Sequence, residues 1–400
     1  PQMPTLTSTG LGEDSTLARA DTLPQEAIGT SGPADEPIEG AMSPRRPPIP
    51  QNWRPEQRIL PAPLIGAGKG LFGLREPPFV NRVGECDRIW ERLRRVVDAG
   101  GLEMVFIRGE AGTGKTRLAE WIATRAHEVG QATVVKVTHS ERVSPSDGVR
   151  GAIARTFRTA KLDRQAVYEQ LIAELSTGAE DPERLERDAR ALTELLRPTD
   201  ADSDGVDGPR YRFHSPAQRR ALIARVLERL AADRPIVLWA DDLQGGPEAL
   251  RILEDLCDMP DLPDLLVVAT LRSDVLAEQP ELAERIAEIE RAESAESITI
   301  EPLSRQHQRE LLDGLVPLEE SLAEQLAERT EGHPLFAMQL LGHWIESEDL
   351  EVGEDGFRVP DSEQLDLPED IHEIWMERVD RLLDLFPAGR GPEVLRALEL

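Results

Sequence analysis

The eight residues Gly109–Thr116, GEAGTGKT, constrain this chain more than any other stretch. They follow a short apolar run, Met104–Arg108, and precede a pattern in which Leu118, Ile122, Ala126 and Val129 share one helical face. That order fits a buried parallel strand whose chain turns sharply into a covering helix. The spacing GxxxxGK[ST] adds chemistry to the geometry. Gly109, Gly112 and Gly114 allow a tight turn, so backbone N–H groups of Glu110, Ala111 and Thr113 can approach phosphate oxygens without a Cβ in the way. The helix start, Lys115–Arg117, adds unpaired donors and partial positive charge. Lys115 brings a full charge to the β- and γ-phosphates, and the Thr116 hydroxyl is a ligand for Mg²⁺. A nucleoside di- or triphosphate with Mg²⁺ is the expected occupant.

Strand and helix patterns alternate around this loop, which predicts a parallel sheet covered by helices on both faces. Ile89, Trp90, Leu93, Val96 and Val97 recur at helical spacing before it, and DAGG ends that helix. Ala132–Val137 is a second strand, and residues 140–210 read as mostly helical with a loop at DADSDGVDGP. Ser215, with Pro216 and Gln218, caps a helix that leads into IVLWADD, the third strand. Four apolar residues bury that strand, and Asp241 and Asp242 emerge at its C-terminal end, where ligands of open α/β sheets bind. Asp241 is placed to hold Mg²⁺ and Asp242 to orient or deprotonate an attacking water. Asp264–Arg272 is a fourth strand ending in Arg272, whose guanidinium either reaches a γ-phosphate or caps the strand at the surface. Ser297–Leu303 is a weak fifth strand. Beyond Ser304 the pattern is purely helical, with a capping box at Ser321 and Glu324 and a helix stop at Gly332.

Composition sets the remaining bounds. Twelve of the 31 prolines fall in residues 1–75, which show little apolar periodicity and read as a disordered linker. GAGKG at Gly66–Gly70 lies in that linker and lacks the GK[ST] spacing. Net charge is −29, almost all of it beyond the linker, and this sign argues against a nucleic-acid groove in this region. Cys86 and Cys257 form no disulfide framework or zinc spacing, which suits a reduced, cytoplasmic setting. No run of about 18 apolar residues is present to span a membrane. The chain starts at Pro and stops inside an apolar helical pattern, so it reads as a piece of a longer protein.

With these residues in view, a family resemblance emerges. FVNRVGE, VLWADDLQ, VVATLRSD, EPLS, EGHPLFAMQL and LPEDIHEIWMERVDRL, in this order, resemble the STAND class of AAA-related P-loop ATPases. They are similar in particular to bacterial modules of large signalling regulators and those fused downstream of Ser/Thr protein kinase domains. The stretch from Trp53 to Arg82 looks like the segment joining kinase and ATPase in such fusions, and the likeness spans Leu71–Leu400.

The resemblance implies an α/β P-loop fold of the AAA/ASCE type at 76–302, a helical lid at 303–362 and the start of a winged-helix domain at 363–400. It places Arg82 beside base and ribose, although an ordinary helix-start pair with Glu85 explains the same residues. Asn81 stands where the family has Gly and is the next-best residue for positive φ. Pro334, in Gly332-His333-Pro334, would pack against adenine or simply start a helix. Gly245 stands where the family often has Trp. The implied activity is a slow Mg²⁺-dependent ATPase acting as a signal-transduction switch. The alternatives are the regulatory ATPase region of a kinase and a scaffold that binds ATP without hydrolysis. Implied partners are other domains of the same polypeptide, a kinase before it or a repeat or sensor domain after it, and a nucleotide-dependent homo-oligomer.

Overall fold

The computed structural model describes residues 48–54, 78–140, 144, 146–176, 181–199, 210–259, 263–347, 350–353, 356–359 and 376. Helix α1 (Val83–Ala99) leads into β1 (Leu102–Gly109), α2 (Lys115–Glu128) and β2 (Thr133–Thr138). Helices α3 (Gly148–Thr156), α4 (Arg164–Ser176), α5 (Pro182–Leu196) and α6 (Pro216–Ala231) separate β2 from β3 (Ile236–Asp241). Then come α7 (Pro247–Cys257), β4 (Leu265–Arg272), α8 (Ser273–Glu278), α9 (Pro280–Glu290) and β5 (Ala295–Thr299). The five strands form one parallel sheet in the order β2-β3-β4-β1-β5. The architecture is α/β, a parallel sheet with helices on both faces, as expected.

Strand periodicity distributes the core. In β1, Met104 and Phe106 point into the layer holding α3 to α7 and α9, whereas Val105 and Ile107 face α1 and α2. The same alternation splits Leu238 and Ala240 from Val237 and Trp239 in β3, and Val267 and Ala269 from Leu266 and Val268 in β4. Strands buried on both faces need continuous apolar runs, which is why IVLWA and LLVVA read as they do. Ser215 caps α6 by accepting from the Gln218 N–H at 3.3 Å, and Gln218 Oε1 accepts from the His214 N–H at 2.9 Å.

Helices α10 (Arg305–Leu315), α11 (Glu320–Thr330) and α12 (Pro334–Glu346) pack as a separate cluster around Leu312, Leu326, Leu340, Leu341 and Trp344. This region is not purely helical, contrary to its periodicity. A hairpin of β6 (Glu351–Val352) and β7 (Phe357–Arg358) follows α12. Phe357 takes the Pro317 carbonyl at 2.8 Å and offers its own carbonyl to the Glu319 N–H at 2.9 Å. That tertiary pairing fixes the chain before α11, so the helix starts at Glu320 and Ser321 lies inside it rather than capping it. The fifth strand also begins two residues earlier than expected and stops at Thr299, with Ile300 N–H giving its last bond to Arg108.

Pro48–Arg54 corrects the expectation of an unstructured linker through residue 75: Ile49 and Trp53 pack into the core beside α1 and α2. Two apolar side chains suffice to dock a stretch whose overall composition is that of a linker. The rest of residues 1–75, including Gly66–Gly70, the loop at 200–209 and, apart from the exposed Met376, the expected winged-helix start at 363–400 lie outside the described residues. Among the described residues no helix is long and apolar enough to cross a membrane.

Gly332 ties the turn between α11 and α12 to Leu303, which packs in the same helical cluster. Its φ is +82°, and its carbonyl accepts from Leu303 N–H at 2.8 Å. A Cβ there would stand 2.2 Å from the Leu303 carbonyl oxygen. Gly332→Ala is therefore expected to destabilise the chain by about 2 kcal/mol or more, through the left-handed backbone and the carbonyl clash. Chemical denaturation of both variants checks this, and an unchanged midpoint would contradict it.

Candidate functional site

The loop after β1 takes its shape from two left-handed glycines, Gly112 at φ +78° and Gly114 at φ +99°. Gly114 is the N-cap of α2, so the first-turn N–H groups open toward the loop. Thr113 Oγ1 donates to the Glu110 carbonyl at 2.9 Å and closes the turn. Gly109 sits beneath, where a Cβ would lie 2.7 Å from the Ile300 carbonyl oxygen. Lys115, 6% exposed, points back across the loop and donates to the Glu110 carbonyl at 2.5 Å. Burial pushes its ammonium below the ordinary lysine range, while the Asp242 and Asp274 carboxylates pull it upward. A buried cation with one backbone acceptor suits an anionic ligand.

Strand order decides what sits opposite. Because β4 lies between β1 and β3, the C-terminal end of β4 separates the loop from the two aspartates. Thr270 fills that position, fully buried, and its Oγ1 donates to Asp241 Oδ1 at 2.8 Å. The same hydroxyl accepts from the Asp242 N–H at 2.8 Å. Thr116 Oγ1 donates to Asp241 Oδ1 at 3.1 Å. Asp242 adopts a left-handed backbone, φ 51°, and its Oδ1 accepts from Gln244 Nε2 at 3.0 Å. His139, just past β2, places Nδ1 2.9 Å from the Asp241 carbonyl, so this nitrogen carries the hydrogen. Its ring fills the space above Gly245-Gly246, where a Cβ on Gly246 would come within 2.2 Å of Nε2. That packing accounts for glycine at position 246, whereas a Cβ on Gly245 would meet His139 Cβ at 3.2 Å.

Most of the expected site residues line one cleft of about 510 Å³: Ala111, Gly112, Thr113, Gly114, Lys115, Thr116, Arg117, Asp242, Arg272, Arg82 and Pro334. Phe79, Val80, Leu311, Leu335 and Met338 make its other end apolar. Three residues stand apart from the lining. Gly109 is packed below the loop, Asp241 lies behind Thr116, and the exposed Glu110 side chain approaches His333 Nε2 at 3.7 Å. Arg82 does more than pair with Glu85, since its Nη2 donates to the Glu301 carbonyl at 2.5 Å and to the Thr113 carbonyl at 3.4 Å. Asn81 and Arg82 both have positive φ, 58° and 70°. Arg272 pairs with Asp274 at 2.7 Å and holds its carboxyl below the ordinary range. Helix α12 touches the loop directly, with Leu335 N–H donating to the Gly112 carbonyl at 3.3 Å.

Thr270, Gln244 and His139 escaped the sequence reading. The lone hydroxyl inside VVATLR was the only hint of Thr270.

Residues 78–268 match the family model described as the AAA ATPase domain. No curated protein matches the chain. Among solved structures, a chain of the Drosophila ORC bound to DNA aligns at 18% identity and TM-score 0.40, over 74% of this chain and 65% of that one. Domain III of the Thermotoga maritima replication initiation protein DnaA aligns at 15% identity and TM-score 0.34, over 69% and 90% respectively.

Thr270→Val removes two bonds at near-constant volume. Stability is expected to fall by about 1–2 kcal/mol, because Asp241 loses a donor and the Asp242 N–H its acceptor. Urea denaturation measures this, and equal midpoints would show that the hydroxyl contributes nothing to the site.

Proposed function

We propose that the cleft binds ATP with Mg²⁺ and hydrolyses it slowly, so that the chain serves as a nucleotide-operated switch module of a larger regulator. The observation that carries this reading is convergence: Lys115, the Thr116–Asp241 pair and Asp242 meet at the C-terminal ends of β1 and β3, in a cleft whose far end is apolar. Phosphates fit the open amides of α2 and the Lys115 ammonium. The apolar end, with Pro334 and Phe79, suits a planar base.

The hydroxyl and carboxylate at Thr116 and Asp241 are hard oxygen donors, and among the described residues no cluster of three metal-binding side chains exists. Two protein donors fit Mg²⁺, which keeps waters and takes its remaining ligands from phosphate oxygens. Bound there, the ion would neutralise phosphate charge. Asp242 orients and deprotonates the attacking water, with Thr270 fixing its backbone and Gln244 its carboxylate. Helix α12 donates to the phosphate loop itself, so any displacement of the loop by a γ-phosphate is felt by the lid. Arg272 is the γ-phosphate sensor in this reading and would exchange Asp274 for phosphate. The likeness to kinase-associated STAND modules supports a signalling role, with a Ser/Thr kinase as the fused output.

Lys115→Ala is expected to weaken ATP binding at least tenfold in a calorimetric titration, as a charge-assisted phosphate contact of about 1.5–3 kcal/mol disappears. Unchanged affinity would refute the assignment. Asp242→Asn should keep ATP affinity and lower phosphate release about 100-fold. Equal release by both proteins would point instead to a scaffold that binds without turnover.

A further inference from the structure

The segment Pro48–Arg54 lies far ahead of the phosphate loop in sequence, yet it is fastened to α1 and α2 by bonds from both. Trp90 Nε1 donates to the Pro50 carbonyl at 3.1 Å, and Arg125 Nε donates to the Trp53 carbonyl at 2.7 Å. Trp53 Nε1 in turn donates to Asp87 Oδ1 at 2.7 Å. These three bonds hold the Trp53 indole against a particular neighbour. Its ring meets Trp121 edge-on, with centroids 5.0 Å apart and planes at 84°. Trp121 stacks on Phe79 at 5.9 Å and 10°. Phe79 is a wall of the cleft, at its apolar end.

We propose that Pro48–Arg54 is part of the nucleotide site: Trp53, through Trp121, holds the Phe79 ring in the plane that the base packs against. Trp53 is thus a positioning residue and makes no contact with the ligand. The proposal rests on the reading of the cleft as an ATP site, and it assigns the apolar end to the base. Aromatic pairs in edge-on and offset arrangements are held by the ring quadrupole as well as by buried area, so removing one ring frees the next. Phe79 lies between Pro78 and Val80, ahead of α1, outside the regular elements that fix other cleft residues. It therefore depends on Trp121 for its orientation more than Leu311 or Met338 do on theirs.

The consequence separates the two ends of the ligand. Loss of Trp53 should weaken contacts with the base while leaving the phosphate loop, about which the segment makes no bond, as it was. The test titrates full-length wild type, Trp53→Ala and Trp53→Phe with ATP, ADP and inorganic tripolyphosphate, each with Mg²⁺. Trp53→Ala is expected to weaken ATP and ADP by a similar factor, roughly 3–10-fold, with tripolyphosphate unchanged. Trp53→Phe, which keeps an aromatic ring against Trp121, should restore most of the affinity. Unchanged ATP affinity in Trp53→Ala overturns the proposal whether or not the variant melts earlier. An equal loss for tripolyphosphate also overturns it, because the segment would then merely support the fold. If Trp53→Ala does not fold, Arg125→Met, which frees the Trp53 carbonyl, is read by the same two criteria. Wild type that binds tripolyphosphate and no ATP would sink the base assignment. Wild type that binds neither would instead sink the underlying reading of the cleft.

Discussion

One carboxylate oxygen ties the site together. Asp241 Oδ1 receives the hydroxyls of Thr116, from the helix after the phosphate loop, and of Thr270, from the neighbouring strand. Three chain segments far apart in sequence thus share a single acceptor in a mostly buried setting. Such an acceptor is costly to leave unpaired, so its two donors are fixed in position relative to it. The spacing between the loop and the acidic pair then follows from sheet geometry, because β4 must fit between β1 and β3. A metal ion held by Thr116 and Asp241 would find these donors already oriented, with little left to reorganise.

The parts legible in the sequence are those in which local pattern and chemistry coincide. GEAGTGKT needs its glycines for backbone shape and its Lys-Thr for charge and hydroxyl, and the structure places all of these in one turn and the helix it starts. IVLWADD is readable because burial demands apolar residues up to the point where the strand emerges. Thr270 was not readable in this way. A threonine in a strand is unremarkable by propensity, and its position between loop and aspartates exists only once β4 is known to lie beside β3. The early start of α11 and the β6–β7 hairpin depend on a pairing of Pro317 and Glu319 with Phe357, which no window of local sequence contains. Pro48–Arg54 was hidden by the composition around it. Two anchors, Ile49 and Trp53, outweigh many prolines when a matching surface exists on α1 and α2.

Charge has a different distribution from chemistry here. On the surface, ion pairs run along helices, such as Arg190 with Glu186 and Arg94 with Glu91, and the net acid excess of the sequence is what remains beyond such pairs. Exposed pairs of this kind contribute little each. Inside the cleft the balance reverses, because Arg82, Lys115, Arg117 and Arg272 line it against two acids, Glu120 and Asp242. An acidic protein with a locally cationic cleft attracts polyanions to that cleft and repels them elsewhere, which favours a small phosphorylated ligand over an extended nucleic-acid backbone.

Backbone strain follows the same map. Five described residues other than glycine have positive φ, and four of them, Asn81, Arg82, Asp242 and Glu331, border the cleft or the turn into the helix that covers it. Each such conformation costs on the order of 1 kcal/mol and persists only where neighbours over-determine it. The determinants are visible for each region: Arg82 is bonded to Glu301 and Thr113, Asp242 to Thr270 and Gln244, and the residue after Glu331 to Leu303. Apart from the local Asp242–Gln244 bond, each of these tethers joins segments distant in sequence around the cleft. Strain held by inter-element bonds would be released if those elements separated, so any movement of α10–α12 away from the loop would be coupled to relaxation of these turns. A ligand that bridged loop, strand end and α12 would work with this arrangement, since it would add contacts that keep the strained turns in place.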